Sequence, residues 1–236
     1  AGALYAAALI IKLILPEADL QMIIIVFAII SASYTIPGGL SSAINAELIQ
    51  AIILILGSVI LTIFCFQQGG DYFYGLFADG DMLVKLIRPL SDSATPWLGL
   101  IVGMPILGIY FWANNQTLVQ RVLSSRNIDE GRKGVIFTGY LTLLTLFIVA
   151  MPGLIARHLF PGLEKPDMVY PNMVLQLMPI GLLGVMLSAL LSALTSTLSA
   201  ILNSTSTLFT IDFYAKFNKK AASKHLVFVG KIASCV

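Results

Sequence analysis

Long apolar stretches, nearly free of charge and too long for buried strands, constrain this chain more than any other feature. Residues 20–36, 42–66, 97–119 and 134–156 each read as such a stretch, and 173–213 as a longer one. A lipid-spanning helix needs roughly 20 mainly apolar residues. Inside lipid only helices or closed barrels satisfy every backbone N–H and C=O, and the apolar–polar alternation of a barrel strand is missing. Only 11% of the residues are charged, against about 25% in a typical soluble domain. Most of the surface must therefore meet hydrocarbon. An all-α integral membrane protein follows.

Punctuation between the runs gives about seven helical segments. A first partial helix covers 2–15 and stops at Pro16-Glu17-Ala18-Asp19. The second ends at Pro37-Gly38-Gly39, a strong turn signal, and the third runs 42–66. A linker over 67–96 follows, with a short amphipathic helix expected over 82–90. In the run 173–213, too long for one crossing, Pro179 and Gly181 mark a short approach helix before the span proper. A seventh helix begins near Leu226. Both chain ends fall inside apolar runs, so the first and last helices read as truncated and residues 1–236 as one transmembrane domain cut from a longer chain.

Orientation follows from the basic residues, which favour the cytoplasmic side. Arg121, Arg126, Arg132 and Lys133 share one loop; Lys216, Lys219, Lys220, Lys224 and Lys231 cluster after the longest run. Two crossings separate these groups, so both are expected in the cytoplasm (loops 120–133 and 214–225) and the 67–96 linker outside. The expected location is a bacterial inner membrane. A net charge of +2 gives no argument for nucleic acid. Cys65 and Cys235 form neither a disulfide framework nor a metal site, and His158 and His225 read as surface residues. Gly69-Gly70 lacks the spacing of a phosphate loop. Nothing points to an enzyme or an organic cofactor, and the oligomeric state is not readable.

Three features carry chemistry. Small polar residues at Ser188, Ser192, Thr195/Ser196, Ser199, Asn203, Ser206/Thr207 and Thr210 recur at steps of three and four, on one helical face. Such a stripe is either a close-packing face or an oxygen-lined path for a hard cation, since hydroxyls and freed carbonyls suit sodium; the two are compatible. Glu47 is the acidic residue set well inside an apolar run, where ionisable groups are rare and functional by default, although a carboxylate reaching cytoplasmic water fits equally. Tyr110-Phe111-Trp112-Ala113-Asn114-Asn115-Gln116 combines aromatics with amides, as a polar-solute pocket does and as an interfacial aromatic belt does too.

Taken together, these stretches resemble the sodium/solute symporter family that includes the sodium/glucose cotransporters. The likeness is carried by Asp167-Met168-Val169-Tyr170-Pro171, by 177–184, by 188–214 ending in Thr210-Ile211-Asp212-Phe213-Tyr214, and by 112–121. Lys133-Gly134, Met151-Pro152-Gly153, Gly38-Gly39-Leu40 and Glu47-Leu48-Ile49-Gln50 extend it over nearly the whole chain.

The resemblance implies an inverted five-plus-five helix transporter fold working by alternating access, with core helices three to nine in this chain. It implies a sodium site at Ala193 (backbone carbonyl), Ser196 and Thr197, and a second at Glu47 and Ser199, where family members carry an aspartate at the Glu47 position and Ala200 stands where another serine may be found. It also implies solute-lining positions at Gly108, Phe111, Trp112, Asn115 and Thr142. Of the characterised sugar contacts only Trp112 is retained, so familiar glucose or galactose binding is not expected. The implied activity is sodium-coupled import of a small polar solute, sugar or sugar-like, with sodium as coupling ion and the bilayer as partner. Other metabolites (amino acid, carboxylate or sialic acid type), a proton-coupled relative using Glu47, and a transporter-like sensor module without transport are the rival readings.

Overall fold

In the computed structural model, residues 2–85, 87–163, 166–219 and 221–234 are described; Cys235 and Lys220 lie outside them, as do the side chains over 37–43. The described residues are helical, without a strand: α1 (Gly2–Ile14), α2 (Leu20–Ala78), α3 (Trp97–Ile109), α4 (Gln116–Leu123), α5 (Ile128–Thr145), α6 (Met151–Leu159), α7 (Val169–Leu177), α8 (Ile180–Leu208), α9 (Ala215–Phe217) and α10 (Ser223–Ala233). Stretches of 32, 18, 32 and 38 residues (Glu47–Ala78, Trp97–Asn114, Ile128–Leu159 and Ile180–Phe217) are long and apolar enough to cross a membrane. The chain divides into two compact units, Ala1–Gly57 with Lys165–Val236 and Ser58–Glu164, with α2 contributing to each.

Two expected boundaries are corrected. The backbone stays helical through Pro37-Gly38-Gly39. A proline removes one helical hydrogen bond, whereas opening the chain in hydrocarbon strands several N–H and C=O groups. The helix also continues past residue 67, turning the first part of the expected linker into helix. Gly69, Phe73 and Leu76 fall on one face and are buried, and Phe73 packs edge-on to Phe66 and Phe77 at 5.0 and 5.1 Å. The end of α2 is set chemically. Gly80, at φ +64°, takes the left-handed conformation, while Asp81 N–H bonds the Leu76 carbonyl at 3.0 Å and Gly80 N–H that of Phe77 at 3.3 Å. This pair of bonds closes a helix with glycine just past its end. The helix expected over 82–90 is reduced to a single tight turn, Met82–Val84, and Pro89 disfavours a helical conformation at the residue before it, so the far half of the segment is a poor helix former.

In the first unit α1 packs on α8, as do α7 and α10. Ala7, Ala8, Met173, Val174, Met186 and Ala189 form the apolar core. Pro179 separates α7 from α8 in extended conformation, matching the expected approach helix. Gly57 lies where any Cβ would strike the Met186 thioether, so glycine permits this approach of α2 to α8.

In the second unit Leu61, Cys65, Ile148, Ile155 and Ala156 form the core. The helix over 128–159 opens into a π turn at Leu146–Ala150. Pro152 has no N–H for the Ile148 carbonyl and its ring crowds that position. The Thr62 hydroxyl reaches the same carbonyl at 3.4 Å. The run 97–119 is interrupted as well. Pro105 lies inside α3, a π turn spans Tyr110–Asn114, and Asn115 leaves the helix in extended conformation. Along α3, Ile106, Leu107 and Ile109 are more than 60% exposed, an apolar surface suited to lipid rather than water.

Candidate functional site

The hydroxyl stripe of α8 faces α2 at two successive levels of the first unit. Ser196 Oγ donates to Glu47 Oε1 at 2.6 Å. One turn further, the Ser199 and Thr35 hydroxyls bond each other in a buried setting. Thr35 Oγ1 also donates to the Ser31 carbonyl at 2.6 Å, so the Ser199 hydroxyl is the donor to Thr35. Ser199 is 1% exposed and Glu47 and Ser196 are half-buried. The Ser196 hydroxyl thus donates to the half-buried carboxylate, a charge-assisted hydrogen bond of the stronger kind.

Thr197 Oγ1 stands 2.9 Å from the Ala193 carbonyl oxygen, to which it donates. These two oxygens lie one turn apart on one side of α8, close enough to share a single hard cation. The Thr197 side chain is exposed. With Ala193 and Leu194 it lines a cavity of about 510 Å³ also bordered by Tyr5, Asp167 and Tyr170. One turn beyond Glu47, Gln50 Oε1 is buried without a hydrogen-bond partner, one more oxygen on that stretch of α2. Oxygen donors of this kind suit a hard cation; the Ser196–Glu47 pair and the Ala193–Thr197 pair are separate groups of them, and Asp167 borders the cavity of the second.

The expected solute-lining residues all belong to the second unit. Phe111 and Trp112 lie in the π turn, edge to face at 5.4 Å and 87°, and both rings are about half exposed. Asn115 Oδ1 accepts from Thr117 N at 3.0 Å and caps α4, so this oxygen is committed locally. Thr142 Oγ1 donates to the Thr138 carbonyl at 2.9 Å, and Gly108 has open space where a side chain would point. Trp112 lines a cavity of about 370 Å³ with Arg121, Glu130 and Thr138; Gly108, Phe111, Asn115 and Thr142 stand outside it.

Sequence reasoning missed Thr35, the direct partner of Ser199. Its signal was present as Ser31 and Thr35 at helical spacing, overlooked because both lie in a strongly apolar run.

The profile of the Sodium:solute symporter family matches residues 1–236. Among similar proteins, the sheep (Ovis aries) Sodium/glucose cotransporter 1 is 37% identical over 253 residues, covering 91% of this chain and 38% of its own length. The mouse (Mus musculus) Solute carrier family 5 member 4A is 36% identical over 268 residues, covering 97% and 41%. The chain thus spans about two fifths of the length of these relatives. A solved structure of a Na+-coupled sialic acid symporter, in a substrate-bound outward-open state, superposes with a TM-score of 0.81 at 22% identity, covering 98% of this chain and 52% of that one. That likeness supports the transporter fold.

Proposed function

Because the chain belongs to the sodium:solute symporter family, we propose that it serves sodium-coupled symport of a small polar organic solute, sugar or sugar-like, by alternating access. The observation that carries this reading is the bond between Ser196 and Glu47, which joins a hydroxyl of α8 to the carboxylate of α2. The Ala193 carbonyl and the Thr197 hydroxyl form a second pair of oxygens on α8, beside a cavity that Ser196 and Glu47 do not line.

Ala193, Ser196 and Thr197 would hold one sodium ion, and Glu47 with Ser199 would offer a second position. Sodium drives transport only if it binds one conformational state better than the other. Its entry supplies about 2.3 kcal/mol per charge per 100 mV, enough for roughly a fifty-fold solute gradient from voltage alone. Phe111 and Trp112 are the aromatic surface proposed to meet the solute, with Gly108 and Asn115 near them in sequence and Thr142 on α5. The relatives named above are animal proteins, and the expected bacterial inner membrane draws no support from them.

A screen of labelled sugars, polyols and sugar acids in cells carrying the full-length protein, in sodium against choline medium, tests the reading. Uptake of at least one solute that requires sodium is expected. Uptake that ignores sodium, or no uptake of any solute while the protein reaches the membrane, sinks it.

A further inference from the structure

No charged residue occurs between Asp167 and Asp212. Charges are costly inside hydrocarbon, so the stretch Ile180–Phe217 reaches the headgroup region at its far end, where Asp212 is followed by Lys216, Lys219, Lys220 and Lys224. The connection from α8 to α10 in the first unit is a closed loop rather than a loose tail. Tyr214, at the end of the π turn Phe209–Tyr214, and His225, in the first turn of α10, bond through the phenol oxygen and Nε2 at 2.8 Å. Asn218 Nδ2 lies 3.5 Å from the same phenol oxygen, and Ala221 N–H donates to the Asn218 carbonyl at 3.1 Å. Lys216, Lys219 and Lys224 stand exposed on this loop.

Their charge has little local compensation. Among the described residues Lys216, Lys219 and Lys224 form no ion pair. Asp212, four positions before Lys216, is the one acidic residue in the sequence from 168 to 236, and it can offset one lysine. The other basic stretch differs. There Arg132 lies 3.9 Å from Asp129 and Lys133 lies 3.1 Å from Glu130, so these charges are answered within α5.

Beside the lysines runs an apolar edge. Phe209 and Phe213 stack nearly parallel with ring centroids 6.3 Å apart, and Phe217 follows four residues on. Exposure rises along the series, from 48% to 62% to 87%. A large, bare aromatic ring among lysines is the composition of a membrane-surface anchor. The ring enters the boundary between headgroups and acyl chains, while the long lysine stems carry their ammonium groups out to the phosphates. Lysines clustered next to a spanning helix attract lipids of net negative charge, and uncompensated ones discriminate such lipids from zwitterionic neighbours.

We infer that the loop between α8 and α10 is a binding surface for anionic phospholipid headgroups, held by Lys216, Lys219 and Lys224 with Phe217 seated at the acyl boundary. The reading is independent of the proposed sodium and solute sites.

The test places the full-length protein in phosphatidylcholine vesicles doped with a trace of photoreactive lipid. Phosphatidylglycerol and phosphatidylcholine carrying the same diazirine on an acyl chain are compared, and labelling of residues 209–225 is read by mass spectrometry after illumination. Each lysine near an anionic surface is worth roughly fivefold in binding, so phosphatidylglycerol should label this segment at least about fivefold more than phosphatidylcholine. Replacing the three lysines together (Lys216→Gln, Lys219→Gln and Lys224→Gln) should bring the ratio close to one. Arg132→Gln with Lys133→Gln, in the internally paired stretch, should leave it in place. Equal labelling by the two lipids overturns the inference and leaves the lysines to a soluble acidic partner. An excess that survives the triple variant overturns it too, as does one that the control variant abolishes equally.

Discussion

Ser196 and Glu47, 149 positions apart in the chain, meet through a 2.6 Å hydrogen bond from hydroxyl to carboxylate. The bond ties the proposed sodium oxygens of α8 to the half-buried carboxylate of α2. Residues that share one hydrogen bond do not contribute additively. Ser196→Ala and Glu47→Ala should each lower stability, while the double variant should cost less than the sum, with a coupling on the order of 1 kcal/mol. Denaturation of the four proteins of the cycle measures it. Strict additivity would show that the pair does not interact in the membrane.

Ser196→Ala combined with Thr197→Ala removes two hydroxyl oxygens and leaves the Ala193 carbonyl. Each lost contact to a charged group is worth about 1.5–3 kcal/mol. The sodium concentration for half-maximal uptake should rise at least several-fold in the full-length protein. A sodium curve that does not move would detach these residues from the ion.

How much of this was open to reading from the chain varies by level. Pro179 marks the step from α7 to α8 because a proline cannot continue a helix without loss, a local rule that holds at this position. Pro37-Gly38-Gly39 carries the same signal, and there the rule gave way because lipid raises the cost of an open backbone. The continuation of α2 past residue 67 depended on packing: Gly69, Phe73 and Leu76 bury a face that composition alone reads as linker. The oxygen stripe of α8 was visible from spacing, but which of its members meet α2 was not. Spacing within one helix cannot report a contact 149 residues away, and Glu47 joined the stripe only through a family likeness. Thr35 escaped because one pair of hydroxyls, Ser31 and Thr35, is a weak pattern inside a strongly apolar run.

Gly69 shows what that packed face demands. A Cβ at this position would collide with Ile155, which is fully buried, and touch Leu159 at ordinary contact distance. Gly69→Val should destabilise the second unit by about 1–3 kcal/mol, the usual range for forcing extra volume into a filled core. Gly69→Ala should cost less, since Ile155 has a smaller group to evade. Thermal unfolding of the two variants checks the order, and a Val variant as stable as the parent would mean that this face is not packed.

Asp92 organises the turn before α3. Its Oδ1 accepts from Thr95 N at 2.8 Å and Ala94 N at 2.9 Å. The Thr95 and Ala94 N–H groups, with the nearby Arg88 guanidinium, hold its carboxyl below the ordinary 3.8. A carboxylate whose folded-state pKa is depressed contributes stability above its unfolded value and loses it as pH falls through the folded one. The turn should therefore persist through the ordinary carboxylate range and open only in more acidic solution. Amide exchange at Ala94 and Thr95, followed from pH 5 downward, should show protection surviving past the ordinary value. Protection that disappears near 3.8 would mean that the backbone bonds do not hold the charge.

Phe111 offers the sharpest separation between solute and ion. Its ring meets Trp112 edge to face at 5.4 Å, it is about half exposed, and it sits in a π turn, a helical defect often found at functional sites. An exposed aromatic pair in an apolar span is either a solute platform or a lipid-facing ornament, and the two differ in what truncation changes. Phe111→Ala removes a stacking surface without touching any proposed sodium oxygen. As a platform, its loss should shift the half-saturating solute concentration several-fold, in line with about 0.5–1.5 kcal/mol for an aromatic contact beyond its buried area, while the sodium curve at saturating solute stays in place. Uptake kinetics across both concentrations measure the split. Equal shifts in the two would point to a structural role, and no shift in either would return the pair to the lipid surface.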